Sequence, residues 1–293
     1  MASPSSPASP VKDNADYVLA VEQLAHGAFA ERRAAVDTLV GLADGYLADT
    51  FLDENTRNTN AQHIINRLCE YIRSPYALAG EYDVLTRTPV RELPAEQEPT
   101  RYRADRDALA QEAQVRGHIL GSIHERVQYL RRAESDTPQE ALETLRPGRW
   151  SHLTFDFTGA DFFYPAYLSE SYWGAGANFS GCSYRETANL SASVYSAAAH
   201  FTASTYYGKA IFRNSVYRAA VHMSGCDYRG QVHAQATVYE AEANLSENTY
   251  REGADCTRST WQGYLNASGC TYRRGANFAE CTWGCDVTLA GCT

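Results

Sequence analysis

From Phe157 to Leu289 one apolar position returns every eleven residues, with an aromatic position five places after it and no insertion in the run. The pairs are Phe157/Phe162, Leu168/Trp173, Phe179/Tyr184, Leu190/Tyr195, Phe201/Tyr206, Phe212/Tyr217, Met223/Tyr228, Ala234/Tyr239, Leu245/Tyr250, Cys256/Trp261, Ala267/Tyr272 and Phe278/Trp283, and Leu289 closes the series. A small or short branched residue usually stands two places before the first of each pair, as Ala166, Ala177, Ala188, Ala199, Ala210, Val221 and Val232 do. So strict a period predicts stacked units that bury these side chains against their neighbours as an inward ladder. Eleven residues also fit three helical turns. Composition decides against a helix: Gly, Ser, Thr and Asn crowd the units, and Val or Thr usually precedes the aromatic, as Val194, Thr205, Val216 and Val238 do. Those preferences predict short strands and a β-solenoid.

Upstream the spacing becomes helical. Val18, Val21, Leu24 and Ala25, then Val36, Leu39, Val40, Ala43 and Leu47, then Ile64, Leu68 and Ile72 predict three amphipathic helices. Thr59-Asn60-Ala61-Gln62 reads as a capping box opening the third, and Ser74-Pro75 as its stop. Pro89, Pro94 and Pro99 punctuate a charged stretch at residues 80–103 and predict a loop. A longer helix is expected over residues 105–133, on Ala113, Val115, Ile119, Leu120, Ile123, Val127 and Leu130. A short one should begin at Thr137-Pro138-Gln139-Glu140 and end before Pro147-Gly148. The chain thus divides into a disordered Ser/Pro tail (1–12), a helical domain (13–149) and the solenoid (150–293). The short helix with Trp150 and Leu153 is the expected cap of the first turn. No such device follows Trp283, Val287 and Leu289, so that end is the expected site of a tail-to-tail homodimer.

Ala177-Asn178-Phe179-Ser180-Gly181, Ala188-Asn189-Leu190-Ser191-Ala192, Ala243-Asn244-Leu245-Ser246-Glu247 and Ala276-Asn277-Phe278-Ala279-Glu280 resemble the units of the pentapeptide repeat family: small, Asn or Asp, Leu or Phe, then two small or polar residues. The second half of each unit, such as Cys270-Thr271-Tyr272-Arg273-Arg274, is a further pentapeptide with one extra residue, so lengths of five and six alternate. The resemblance implies a right-handed quadrilateral β-helix in which two units make one turn. Residues 22 apart then stack at the ~4.8 Å strand spacing. One outward column would read Asn178, His200, His222, Asn244, Asn266, and another Arg185, Tyr207, Arg229, Arg251, Arg273. The second is a basic stripe, the expected partner-binding surface, with Glu186 and Glu252 beside it. Residues 60–76 and Glu112-Ala113-Gln114-Val115-Arg116 are similar to the helical region that precedes the repeats in actinobacterial members, which implies a bacterial protein, cytoplasmic or on the inner face of the membrane, and brings no activity with it.

Candidate chemistry is sparse. The chain has no Gly-rich phosphate loop, Gly-x-Ser-x-Gly elbow or His-Glu-x-x-His helix. His118 and His124 lie six apart, on different faces of their helix, and Glu31, Asp37, Glu70 and Glu112 read as solvated carboxylates. Cys182, Cys226, Cys270, Cys281 and Cys292 occupy the small inward site, and Cys281-x-x-x-Cys285 is the closest spacing, so buried thiols are expected and not a zinc site. No catalytic, cofactor-binding or metal residue is expected. The opening ten residues have neither a basic start nor an apolar stretch, and no apolar run reaches the ~18 residues of a membrane span.

Function is therefore expected in surfaces: a non-enzymatic scaffold or adaptor binding an unidentified protein. The resemblance implies an alternative, since some pentapeptide repeat proteins imitate duplex DNA and occupy DNA gyrase. The net charge of −9 leans that way. From Trp150 onward, however, twelve acidic residues face nine basic ones, a net of −3. Imitating one phosphate per ~1.7 Å needs far more. Direct binding of nucleic acid is not expected. Serine or threonine two places before the inward tyrosines (Ser193, Ser204, Ser215, Thr237) is the expected partner of their hydroxyls.

Overall fold

A computed structural model describes residues 11–87, 98–131 and 145–293. An N-terminal helical region precedes a parallel β-solenoid of about six turns. Each eleven-residue unit supplies two strands of two residues, and every strand pairs only with those 22 residues away: Val194 with Tyr172 and Val216, His200 with Asn178 and His222. Four sheets result. The first face, from Phe155–Asp156 to Val287–Thr288, has seven strands; the second (from Asp161–Phe162), third (from Ala166–Tyr167) and fourth (from Tyr172–Trp173) have six each.

Corners make so short a period workable. Two places after the apolar ladder position the backbone turns to positive φ, at Gly159, Gly181, Gly225 and Gly269 but also at Ala192, Ala203, Asn214 and Glu247. A left-handed residue bends the chain sharply from one face to the next and costs little only as glycine. The small residue that follows closes the corner of the turn below it. The Ser193 hydroxyl accepts from the Ser171 N–H at 3.2 Å and donates to the Leu168 carbonyl at 3.2 Å. Ser204 does the same between the Cys182 N–H (3.1 Å) and the Phe179 carbonyl (2.8 Å). Thiols follow suit, Cys182 Sγ reaching the Phe157 carbonyl at 3.1 Å and Cys226 Sγ that of Phe201 at 3.1 Å.

That arrangement overturns the expected serine–tyrosine pairs. Ser193, Ser204 and Ser215 spend their hydroxyls on the backbone, as Thr237 does on the Phe212 carbonyl (3.2 Å), and the buried hydroxyls of Tyr184, Tyr195, Tyr206 and Tyr217 have no partner among the described residues. The rings stack face to face instead, Tyr184 on Tyr206 at 4.6 Å, Tyr195 on Tyr217 at 4.7 Å and Tyr239 on Trp261 at 3.9 Å. From Phe157 to Trp261 the ladder is buried, with Phe162, Leu168, Trp173, Phe179, Leu190, Phe201, Phe212, Met223, Tyr228, Leu245 and Tyr250 among its rungs. Its last members depart from the expectation. Tyr272 and Phe278 are half-buried, and Trp283 and Leu289 are 44% and 55% exposed, because no described turn lies above them.

The helices are α1 (Ala15–His26), α2 (Phe29–Ala48), α3 (Glu54–Arg73), α4 (Tyr82–Arg87) and α5 (Pro99–Val127), with 3-10 turns at Val11–Asp13 and Ala77–Glu81. Four local expectations need correction. Order reaches into the predicted tail, since Val11 is buried and its N–H meets Asn60 Oδ1 at 3.3 Å; residues 1–10 lie outside the described residues. That contact also takes Asn60 inside, and α3 opens earlier, on Asp53, which accepts the Thr56 N–H at 3.0 Å. The predicted loop at 80–103 holds α4, pinned by buried Tyr82 and Leu85, and the start of α5, where Pro99 falls at a first-turn position that needs no N–H; residues 88–97 lie outside the described residues. Helix α5 ends at Val127, and Leu130–Arg131 pairs antiparallel with Leu145–Arg146 where the short helix was to end; residues 132–144 lie outside the described residues.

Helices α3 and α5 cover the start of the solenoid, so the cap is larger than the short helix with Trp150 and Leu153. Trp150 and Leu153 are buried there. The Trp150 N–H donates to the Arg126 carbonyl at 3.0 Å and the Tyr129 N–H to Glu170 at 3.1 Å, which occupies backbone groups a bare end would leave open.

Candidate functional site

Four places combine unusual chemistry with position. The first is the basic stripe past the second face. The Tyr207 ring lies between two guanidiniums, Arg185 at 4.7 Å and Arg229 at 4.4 Å. Arg185 pairs with Asp161 at 3.2 Å, while Arg229 and Arg251 share Asp227 at 2.9 and 2.7 Å. Hydrogen bonds from Arg251 and Arg229 hold the Asp227 carboxyl below its usual range against its partial burial. The flanking acids are engaged as well: Glu186 accepts from the Tyr82 hydroxyl at 2.6 Å and Glu252 pairs with Arg274 at 2.7 Å. Helix α4 thus closes the Arg185 end. At the other end Arg273 is exposed and has no ion-pair partner among the described residues.

The first face carries the Asn/His column. Asn178, Asn244 and Asn266 fold back on the N–H two residues on, at 3.0 to 3.1 Å. Where histidine replaces asparagine, His200 and His222 stack at 4.9 Å, rings 12° apart. Burial first, and the neighbouring His222 second, push His200 below its usual pKa. His118 and His124 part as their spacing implied, His118 meeting Asp37 at 2.6 Å and His124 the Ser169 carbonyl at 2.7 Å. Among the described residues no three His, Cys, Asp or Glu converge as a metal site needs. All eight cysteines are free. Burial pushes the thiols of Cys69, Cys182 and Cys256 up to about 12, which keeps them protonated and unreactive at neutral pH.

The joint between helices and solenoid is the place the sequence reading missed. Glu112, expected in solvent, is 3% exposed, and Arg116 beside it is 2% exposed. Arg116 donates to Glu112 (2.8 Å), the Ile72 carbonyl (2.7 Å) and the Ser74 carbonyl (2.8 Å). Its guanidinium lies over Tyr71 on α3, Tyr76, and Phe163 of the solenoid, at 5.4 to 5.9 Å. Arg32 of α2 completes the knot on Glu112, and the Tyr71 hydroxyl accepts from it at 3.0 Å. A signal was present: Glu112 and Arg116 fall in the helical stripe of Leu109, Ile119 and Ile123, where a solvated pair has no place. The other three carboxylates are engaged too, Glu31 capping the Ala28 N–H (2.7 Å), Asp37 on His118, and Glu70 on Arg67 (2.6 Å).

At the far end the open rung leaves an apolar hollow of about 210 Å³ lined by Tyr250, Leu265, Tyr272, Phe278, Trp283 and Leu289, with Val287 36% exposed beside it. Among the described residues no helix is long and apolar enough to cross a membrane. Compared with protein-family models, curated proteins and solved structures, the chain matches none of them.

Proposed function

We propose that this chain is a non-catalytic scaffold or adaptor of the pentapeptide-repeat kind, acting in the bacterial cytoplasm and holding a protein partner against its helical region and the flat faces of its solenoid. The joint carries this reading. Beyond the Arg116 knot, Arg73 pairs with Asp156 at 2.7 Å, Tyr82 meets Glu186, and Asp44 receives both Arg126 (2.8 Å) and the Trp150 indole N–H (2.9 Å). A module clamped so closely to a rod presents two surfaces at a constant distance, which is what an adaptor needs and an enzyme with a mobile cleft does not. A second copy is proposed to dock on the apolar end at Trp283, Val287 and Leu289, in an isologous contact.

The test is affinity capture from a bacterial lysate with the intact chain, since removing the helices would uncover the first turn. Retention of a defined protein at near-equal amounts, lost when exposed residues of one face are reversed in charge, is the expected result. Retention of nothing above background would overturn the reading. A supercoiling assay separates the alternative: inhibition or protection of DNA gyrase by the intact chain would make DNA mimicry the better account, and the net of −3 on the solenoid predicts no effect.

A further inference from the structure

The basic stripe is balanced at one end and unbalanced at the other. Over the last turns Arg229, Arg251, Arg273 and Arg274 face Asp227 and Glu252, and Asp255 in the adjoining trough, a local excess of one positive charge on a chain of net −9. Next to it, at the corner leading into the third face, lies a trough of about 400 Å³ lined by Gln231, His233, Gly253, Asp255, Gly275 and Asn277, with Arg274 at its rim. Gly253 and Gly275, stacked on successive turns above Gln231, face open space: a Cβ added at either would meet nothing within 4 Å. The floor's acceptors are already filled. Asp255 takes the Thr257 N–H at 3.0 Å and the Gln235 amide at 2.8 Å, and Asn277 Oδ1 takes the Ala279 N–H at 3.0 Å. What faces outward unspent is donors: the Asn277 amide and the Arg273 guanidinium have no acceptor among the described residues.

From this juxtaposition we propose that the edge formed by Arg251, Arg273, Arg274 and the Gly253/Gly275 trough docks an acidic, extended peptide segment of a protein partner. The proposal rests on the scaffold reading and names the chemistry of what the scaffold holds. Successive turns stand ~4.8 Å apart, and carboxylates two residues apart in an extended chain lie on one side at a separation of ~6.6 Å, which the long arginine side chains at 251 and 273 can span together. A nucleic acid is the rival polyanion, and the DNA comparison below separates the two.

Fluorescence anisotropy of a labelled ten-residue Glu-rich peptide against the intact chain tests it, with a Lys-rich peptide and a single-stranded ten-nucleotide DNA as comparisons. The acidic peptide should bind, weaken at least tenfold between 50 and 300 mM NaCl by ordinary charge screening, and weaken at least tenfold in Arg273→Glu, whose side chain supports no ion pair in the fold. Arg213→Glu, an equal charge change at an exposed corner on another edge, should bind like the parent. Absence of binding, equal loss in the two variants, or tighter binding of the DNA each overturns the proposal. If Arg273→Glu still captures the lysate partner while the peptide fails, only this inference falls and the scaffold reading stands.

Discussion

At the scale of single residues, two kinds of buried hydroxyl have opposite worth. Ser204 bridges an N–H and a carbonyl of the turn below, and its replacement leaves both buried and unpaired. Ser204→Ala is expected to cost roughly 1–3 kcal/mol in urea unfolding. Tyr217 holds its ring in the stack at 4.7 Å from Tyr195, yet its hydroxyl meets nothing among the described residues. Tyr217→Phe should therefore leave the melting temperature unchanged or raise it; a clear fall would mean that the hydroxyl is satisfied. The pairing expected from sequence failed because a serine two residues before a tyrosine also lies over the previous corner, and the backbone groups there are the more urgent to satisfy.

Elements are joined by charge as much as by apolar contact. The Glu112 carboxylate accepts from two guanidiniums, on α2 and α5, so Glu112→Gln leaves two cations with a neutral partner inside the joint. The expected loss is about 3–5 kcal/mol, read from urea unfolding, with faster proteolysis of the helical region. Acid should act in two stages. His63, His152 and His200 all have pKa values lowered mainly by burial, so the unfolded chain takes their protons more readily than the folded one. Their contribution is present above about pH 6.5 and is lost as pH falls below that value. Asp227, held low by Arg251 and Arg229, gives way further down, as pH falls through its depressed pKa. Melting temperatures from pH 8 to 2 should show both steps, and His200→Asn should soften the first alone.

For the whole molecule, a rod whose last described turn leaves apolar side chains exposed makes an assembly prediction. Trp283, Val287 and Leu289 are between 36% and 55% exposed, more apolar surface than the rungs below present. If a second copy covers it, Val287→Asp with Leu289→Asp should halve the mass seen by light scattering while leaving the melting of the middle turns in place. A parent chain already monomeric at tens of micromolar would remove that contact from the scaffold account.

How much of this was legible depends on the range of the interaction. The eleven-residue period determined the solenoid, its inward ladder and the order of its columns, because each turn repeats the same environment and stacking is local to neighbours 22 residues away. Helical periodicity placed α1, α2 and the core of α3 for the same reason. Contacts between residues far apart in the chain left no period to read. Asn60 met Val11, Arg116 met Phe163, and Tyr82 met Glu186. Only the tertiary structure decided that Glu112 is buried, that one end of the arginine stripe is closed by α4 and the other left open, and that the serines serve the backbone and not the tyrosines. Each was settled by which competing partner lay nearer in space, something a single sequence does not record.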